Sequence, residues 1–557
     1  MPVINLNKER VLRLLGKKVS DEVLREKISY LGTDLEEIKD DEIVVEVFPN
    51  RPDLLSEEGF GRALKSFLGF EQGLRKYDAK KSNFEVVIDG SVGEVRPFTA
   101  CLVAKNLVIS EEVLEDIINL QEKLHVTYGR NRKKCAIGVY PLDSVVFPVH
   151  YKALSPEKIV FVPLGESKEM NGFDLLKKTK AGKEYGFLLE KEKKFPVFVD
   201  SSGSVMSVPP ILNSRSTGTV STSTKDLFVE CSGHDFDVLS KALNMIGSAL
   251  VDMGADVFSV TLKYGNKKRV TPEFAPKIMS IETAYINKYL GLGLSENELS
   301  SLLERMGFGI KKKSKKSLEV FVPCFRADIL HPVDLVEDVC IAFGFDNVRG
   351  VKDDVHSVGK ELFVEKVKEK IRDVFVGDGL LEVMNYSLVK LDDQKRLGLD
   401  GVVKIKNPNS SEYNSMRKFL FPVVLKTFKA NKMNEYPQSV FELGTVFGKH
   451  KILEEHNSLC VATCSDNASF TWAKQRLELL GRLFGLEFKV ERKDFDFFIK
   501  GRSAEVLVKK KSWESVGFIG EASLETLRLF DLERGVSLFE LNLDSLSALI
   551  EEKQRDA

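Results

Sequence analysis

At 557 residues the chain is too long for one hydrophobic core, since cores stop growing near ~250–300 residues, and roughly three to five domains are predicted. Hydrophobic residues make up 43% and charged residues 30%, and 82 Lys+Arg nearly cancel 83 Asp+Glu, which excludes a whole-chain field that draws phosphate; any nucleic-acid contact must be local. The opening Met-Pro-Val-Ile-Asn-Leu-Asn-Lys has no apolar core behind a basic region, and no run approaches ~20 apolar residues, so secretion and membrane spanning are not expected and the chain is placed in the cytosol.

In chain order, residues 1–85 predict an α+β segment: a helix near Asp21–Leu31, a strand near Glu42–Phe48 and a helix from Ser56 to Phe67. Its centre, Val47-Phe-Pro-Asn-Arg-Pro-Asp-Leu-Leu55, is a strand stopped by two prolines, a rigid corner. From 86 to 268 short apolar runs recur at Phe84–Ile88, Cys101–Ile109, Cys135–Tyr140, Ile159–Val162, Phe195–Val199 and Asp226–Val229. Helices intervene at Glu111–Leu124 and Asp235–Met253, giving a strand-rich α+β module. Residues 269–347 change to two short helices, Ile281–Leu290 and Ser295–Arg305, then Gly307-Phe-Gly309, the basic run Lys311–Lys316 and a strand Leu318–Val322. That order suggests a winged-helix-like unit whose lysine-rich hairpin tip could meet a phosphate backbone or stay solvated. After a linker near Asn347–Gly359, residues 355–557 predict helices at Glu361–Phe375 and Met416–Lys432, with strands around Ser439–Phe447 and Val506–Lys510.

The chain shows no P-loop, H-E-x-x-H, G-x-S-x-G or post-strand G-x-G-x-x-G. Its seven cysteines are scattered without a C-x-x-C pair, and Cys460 and Cys464, on one face of an apolar run, read as core. The densest constellation follows Arg326: Asp328, then Asp334, Glu337 and Asp338 behind Pro332, which suits a first helical turn. The last three acids fall at i, i+3 and i+4 on one helix face, where like charges repel, and no basic residue is interleaved to offset them. Two readings stay open: acids stabilising a helix N-terminus, or an all-carboxylate site for a hard cation, Mg²⁺ rather than Zn²⁺. A second cluster joins Ser207 in Ser207-Val-Pro-Pro-Ile-Leu-Asn213 to Glu230 and Ser232, which alternate onto one face of a strand ending at Gly233. That face is either solvated or a pocket that recognises a polar group.

Six segments in one order carry a resemblance: Glu46-Val-Phe-Pro-Asn-Arg-Pro-Asp-Leu-Leu-Ser56, Leu124–Lys134, Ser207–Asn213, Leu303-Glu-Arg-Met-Gly-Phe308, Asp334–Asp338 with Ala342-Phe-Gly344, and Phe441-Glu-Leu-Gly444. Over nearly the whole chain they resemble the β subunit of phenylalanyl-tRNA synthetase, of the shorter archaeal and eukaryotic-cytosolic type. The resemblance implies an (αβ)₂ heterotetramer in which the α subunit binds phenylalanine and ATP and charges tRNA(Phe). The final region would then be a class II synthetase-like antiparallel-sheet domain lacking the aminoacylation residues. In agreement, Arg417 and Phe441–Gly444 read as framework, without paired arginines to clamp ATP. The resemblance also implies a Mg²⁺ ion shared with the α subunit at Asp328, Asp334, Glu337 and Asp338. It further implies an editing module that hydrolyses tyrosine mis-esterified to tRNA(Phe), with Ser207, Glu230 and Ser232 as the polar pocket. Glu230 stands where the archaeal pattern has Asp, and Ser232 where it has Thr. The bacterial type's appended tRNA-binding barrel and anticodon-binding domain are not expected, so Arg130, Arg132, Lys133, Lys134 and the Lys311–Lys316 run are the candidate phosphate contacts. A purely supporting subunit and a free-standing hydrolase of mischarged tRNA are the competing readings.

Overall fold

The computed structural model describes residues 2–556 except 315, 353, 356, 450 and 451, and their side chains except those of 312–314 and 556. The chain divides into two compact α+β units, Met1–Lys352 and Asp353–Ala557.

Among the described residues, three sheets of three or more strands and one two-stranded pair, Val160–Phe161 with Met170–Asn171, build the first unit. The N-terminal one has the order Val3–Asn7, Glu42–Val47, Thr33–Ile38. The Asn-Arg-Pro-Asp corner follows it as a short 3₁₀ turn, Pro52–Leu54, held by a buried bidentate pair in which Arg51 Nε and Nη2 donate to Asp53 at 2.9 Å each. Ser56 then caps the helix Glu57–Phe67 by accepting from the Gly59 N–H. The ten-stranded central sheet runs Leu212–Asn213, Val205–Val208, Phe195–Val199, Val149–Leu154, Lys80–Ile88, Asp256–Tyr264, Phe98–Lys105, Leu227–Gly233, Cys135–Pro141, with Lys267–Thr271 pairing Asp256–Tyr264. Lys80–Ile88 lies parallel to both its neighbours, and the remaining pairs are antiparallel. A third sheet orders Lys277–Glu282, Ser317–Val322, Gly309–Ser314, preceded in its hairpin by the helices Thr283–Leu290 and Glu296–Arg305 and followed by Pro332–Phe343. Of the lysine-rich tip, Lys315 and the side chains of Lys312 and Lys313 lie outside the described residues.

One hydrophobic cluster runs continuously from Ile4 to Ala342 and draws residues from all three segments that the sequence predicts over 1–347, while two further clusters, around Tyr140 and Phe198 and around Phe195 and Val208, lie within the central module. The helix Phe236–Asp252, buried at Leu239 and at all nine positions from Ala242 to Leu250, supplies much of that continuity. A helix apolar over so much of its surface must be covered on several sides.

The second unit is a seven-stranded sheet ordered Leu381–Glu382, Gln438–Lys449, Leu453–Ser465, Gly535–Asn542, Trp513–Ala522, Phe498–Lys509, Phe488–Arg492, antiparallel but for its first pair. Period-2 alternation divides its core: Leu459 and Val461 pack under Phe363–Gly377, Phe470–Phe484 and Leu543–Asp556, while Cys460, Ala462 and Cys464 face Phe421–Ala430. All seven cysteines are buried and free. The helix expected over Met416–Lys432 is shorter, Phe421–Ala430, because Ser415–Met416 pairs as a strand with Leu388–Val389. Pro422 sits in the first turn, and the orphan N–H groups of Leu420 and Phe421 donate to the buried Glu540 carboxylate at 2.8–3.0 Å. Among the described residues no helix is long and apolar enough to cross a membrane.

Candidate functional site

A cavity of about 300 Å³ opens in the first unit, lined among others by Gln121, Glu122, His125, Arg132, Ser207, Asn213 and Glu230. The Val208–Ile211 turn, closed by the Ile211 N–H on the Val208 carbonyl, folds Val205–Val208 against Leu212–Asn213 so that Ser207 stands directly opposite Asn213. Glu230 enters from near the other end of the sheet order, on Leu227–Gly233, a strand buried at every residue. The solvated reading of its polar face is therefore overturned. Burial pushes the Glu230 carboxyl from its ordinary 4.5 up to about 8, against the opposing influence of Arg96 and the Tyr140 hydroxyl. Its Oε1 lies 3.3 Å from Tyr140 Oη, and its Oε2 is buried without a hydrogen-bond partner. A buried carboxyl with unused acceptor capacity, lining a cavity, is costly unless something supplies a donor.

Ser232 shares Glu230's strand face but not the cavity. It is fully buried and receives Arg96: Nε donates to its Oγ at 3.2 Å and Nη2 to its carbonyl at 2.6 Å. The same guanidinium reaches the Arg132 carbonyl at 3.2 Å. Ser232 thus anchors the cavity's frame, a correction to its reading as a pocket residue.

Arg132 is likewise not a free phosphate contact. Its guanidinium lies over the Tyr185 ring at 4.3 Å, donates to the Ile211 carbonyl at 2.8 Å and pairs with Glu122 at 3.1 Å. Arg130, Asn131 and Arg132 all have positive φ, a left-handed run that turns Arg132 inward while Arg130, Lys133 and Lys134 stay exposed. Glu122 also meets His125 Nδ1 at 3.2 Å; that contact and Arg132 hold its carboxyl down to about 2. His125 is buried, which lowers its pKa, and its Nε2 accepts the Ile137 N–H at 2.8 Å. The ring is therefore neutral with its proton on Nδ1, and neither nitrogen is left to take a proton from water. Tyr140, Asn213, His125 and Glu122 were not singled out in sequence; the Pro-Pro turn opposite Ser207 was the one signal pointing to Asn213.

A second cavity, about 470 Å³, is lined by Asp328, Asp334, Glu337 and Asp338 together with Asn50, Arg51 and Phe48 of the proline corner. The counter-charge that the sequence reading did not find is Arg326. It grips Asp328 through Nε and Nη2 at 2.8 and 2.6 Å and reaches Asp338 Oδ2 at 2.6 Å. Burial raises Asp338 to about 6 although Arg326 opposes it; burial also acts to raise Asp328, but there the guanidinium wins and the carboxyl sits low. Asp334 Oδ2 accepts the N–H groups of Leu330 and His331 at 2.7 Å each, a capping box at the start of Pro332–Phe343, and Glu337 is exposed. Among the described residues, the three carboxylates whose oxygens all converge within 4.8 Å are instead Asp34, Glu36 and Glu46, on the N-terminal sheet's face. The cavity's donor set nevertheless suits Mg²⁺: a carboxylate offers about four acceptor sites, so Asp328 and Asp338 keep lone pairs beyond those taken by Arg326, and Mg²⁺ needs only one or two carboxylates beside water.

In the second unit Arg417 is buried and consumed by Glu442 at 2.6 Å and the Thr445 carbonyl at 2.9 Å, which makes it framework. Arg476 and Arg534, beside a 940 Å³ cleft, are each stacked on an aromatic ring and paired with an aspartate.

Residues 354–543 match the family described as phenylalanyl tRNA synthetase beta chain CLM domain, and residues 279–345 the tRNA synthetase B5 domain. The phenylalanine–tRNA ligase beta subunit of Pyrococcus furiosus is 35% identical over 98% of this chain and 100% of its own length; that of Archaeoglobus fulgidus is 35% identical over 98% of each. A crystal structure of an N-terminal fragment of the phenylalanyl-tRNA synthetase beta subunit from Pyrococcus horikoshii is 36% identical, covers 61% of this chain and 99% of the fragment, and superposes with a TM-score of 0.59. On these full-length matches, the chain belongs to the family of phenylalanine–tRNA ligase beta subunits.

Proposed function

We propose that the chain supports ATP-dependent charging of tRNA(Phe) as the β subunit of a cytoplasmic (αβ)₂ phenylalanine–tRNA ligase, and that its 300 Å³ cavity hydrolyses tyrosine mis-esterified to that tRNA. Charging is assigned to the α subunit, where ATP and phenylalanine bind. The arginines of the second unit support this division, since Arg417, Arg476 and Arg534 all have partners within the unit. In this reading the second unit is the class II synthetase-like domain without its active residues, and 269–347 the winged-helix-like unit.

The observation that carries the hydrolytic reading is the buried Glu230 carboxyl, with an unpartnered oxygen, on the cavity wall. An apolar synthetic pocket rejects an isostere bearing one more hydroxyl by only ~10²-fold, so accuracy needs a second site that selects for the hydroxyl. Glu230 accepts the tyrosine O–H, with Ser207 and Asn213 as the polar groups beside it. A phenyl ring brings no donor and leaves the carboxyl unsatisfied. The water oxygen attacks the ester carbonyl carbon, the bond to the ribose oxygen breaks, and a water proton ends on that ribose oxygen. With His125 doubly engaged and Glu122 paired, no side chain is assigned as general base, and the neighbouring ribose hydroxyl handles the proton. Arg130, Lys133 and Lys134 meet the phosphate backbone.

Mg²⁺ would be held by Asp334 and Glu337 with the lone pairs of Asp328 and Asp338 that Arg326 leaves free, and would supply positive charge shared with the α subunit.

Two measurements test the proposal. Phenylalanine charging is expected from the chain with its co-expressed α subunit and not from the chain alone. In that complex Glu230→Ala is expected to cut tyrosyl-tRNA(Phe) deacylation by ~10²-fold or more, the scale on which buried polar recognition discriminates. Unchanged deacylation would favour a purely supporting subunit.

A further inference from the structure

Glu230 and Gly138 face each other across neighbouring strands, and a Cβ at 138 would collide with both Glu230 Oε1 and Tyr140 Oη. Gly138 therefore opens the notch where these two side chains meet. Tyr140 is wholly buried, its ring 5.8 Å from Phe228 within the same hydrophobic cluster, and it does not itself line the cavity. Its hydroxyl, however, stands 2.8 Å from Ser207 Oγ, 3.3 Å from Glu230 Oε1 and 3.4 Å from Asn213 Oδ1, and all three of those residues do line the cavity. A buried phenol needs one partner for its hydroxyl. Here one oxygen collects polar groups from three strands, all belonging to the candidate site.

We infer that Tyr140 is a positioning residue of the hydrolytic pocket: its hydroxyl fixes the Glu230 carboxyl, Ser207 and Asn213 relative to one another and leaves Glu230 Oε2 as the acceptor held open for a substrate hydroxyl. The inference rests on the hydrolytic reading of the cavity above. Proton counting supports it. With the Glu230 carboxyl ionised, the single phenol proton satisfies only one of its three neighbours and the Ser207 hydroxyl brings one more, so the cluster keeps an acceptor in excess. A phenolic substrate supplies the missing donor and a phenyl substrate does not. Tyr140 thus acts through Glu230 without touching the substrate, and Gly138 is required because any side chain there displaces both groups.

The test uses the complex with the α subunit and follows kcat/KM for tyrosyl-tRNA(Phe) deacylation from pH 6 to 9 in wild type, Tyr140→Phe, Glu230→Ala and the double variant. Phenylalanine keeps the buried ring, so thermal midpoints report whether the fold is intact. For Tyr140→Phe the expected result is about a tenfold loss, the scale of one hydrogen bond. The midpoint of the pH profile should also move upward, since the phenol no longer favours ionised Glu230. The double variant should be no slower than Glu230→Ala, because the two side chains act as one unit. A Tyr140→Phe enzyme with wild-type rate and profile overturns the inference, as does a loss with an unmoved midpoint or a double variant slower than Glu230→Ala. If Glu230→Ala itself deacylates like wild type, the hydrolytic reading fails, which is a separate outcome from failure of Tyr140 alone.

Discussion

Replacing Glu230 by glutamine is expected to raise the thermal stability of the chain while removing tyrosyl-tRNA deacylation. In the folded chain this carboxyl titrates at about 8, against an ordinary 4.5, because burial penalises its charge more than Arg96 and Tyr140 relieve it. Between those two values the folded state keeps a proton that the unfolded state has lost. Stability from this group is therefore fully present below pH 4.5, falls as pH rises across the window, and is lost above about 8. At ~1.4 kcal/mol per pKa unit, the loss at pH 8 is on the order of 4 kcal/mol. Glutamine keeps the shape and a hydrogen bond to Tyr140 without the ionisation, so Glu230→Gln should unfold several degrees higher at pH 8 and close to wild type at pH 5. Differential scanning at the two pH values checks this. A variant less stable than wild type at pH 8 would mean that the carboxylate is held by a donor the geometry does not contain. The pairing of higher stability with lost hydrolysis is the trade expected where a site keeps an unsatisfied acceptor for its substrate.

How far the sequence reached differs between elements whose causes are local and elements whose causes are distant. The helices Asp21–Tyr30, Glu57–Phe67, Glu111–Val126 and Glu296–Arg305 announce themselves through Ser caps and first-turn acids a few residues away. The helix Phe421–Ala430 was misplaced because its cap is the Glu540 carboxylate, 120 residues along the chain from Leu420. Central strands such as Trp513–Ala522 and Gly535–Asn542 and the helix Phe470–Phe484 were not anticipated. The two strands are interrupted by glycine or carry buried Glu521 and Glu540, which blurs the apolar alternation a strand reading needs.

The sites follow the same division. Spacing alone placed Glu230 and Ser232 on one strand face, and the strand has that geometry. It could not say that Arg96, 136 residues before Ser232, takes that serine into the frame and leaves Glu230 alone on the cavity wall. Gly138 and Tyr140, which shape the carboxyl's surroundings, are two positions in a strand that reads as ordinary core. In the acid cluster, the helical spacing identified the like charges, while their counter-ion sat two residues before Asp328, in the loop rather than on the helix face.

That counter-ion defines the second large effect. Arg326→Met is expected to destabilise the chain by ~3–5 kcal/mol, the range for removing one partner of a buried ion pair, because Asp328 and Asp338 are left in a poorly solvated site without their guanidinium. Methionine fills much of the volume and keeps contact with Phe308, over whose ring the guanidinium lies at 5.1 Å, so the loss reports charge more than packing. Adding Asp338→Asn should recover a substantial part of it, since one of the two stranded charges disappears; strict additivity of the two substitutions would sink the argument. The same variant probes the metal proposal through stability alone. If Asp328, Asp334, Glu337 and Asp338 can hold Mg²⁺, millimolar Mg²⁺ should raise the unfolding temperature of Arg326→Met more than that of wild type, with the cation taking the place of the lost positive charge. Adding Asp334→Asn and Glu337→Gln to Arg326→Met should abolish that increment. An equal response to Mg²⁺ in wild type, Arg326→Met and the acid-depleted variant would assign the cluster to charge pairing and helix capping without a metal.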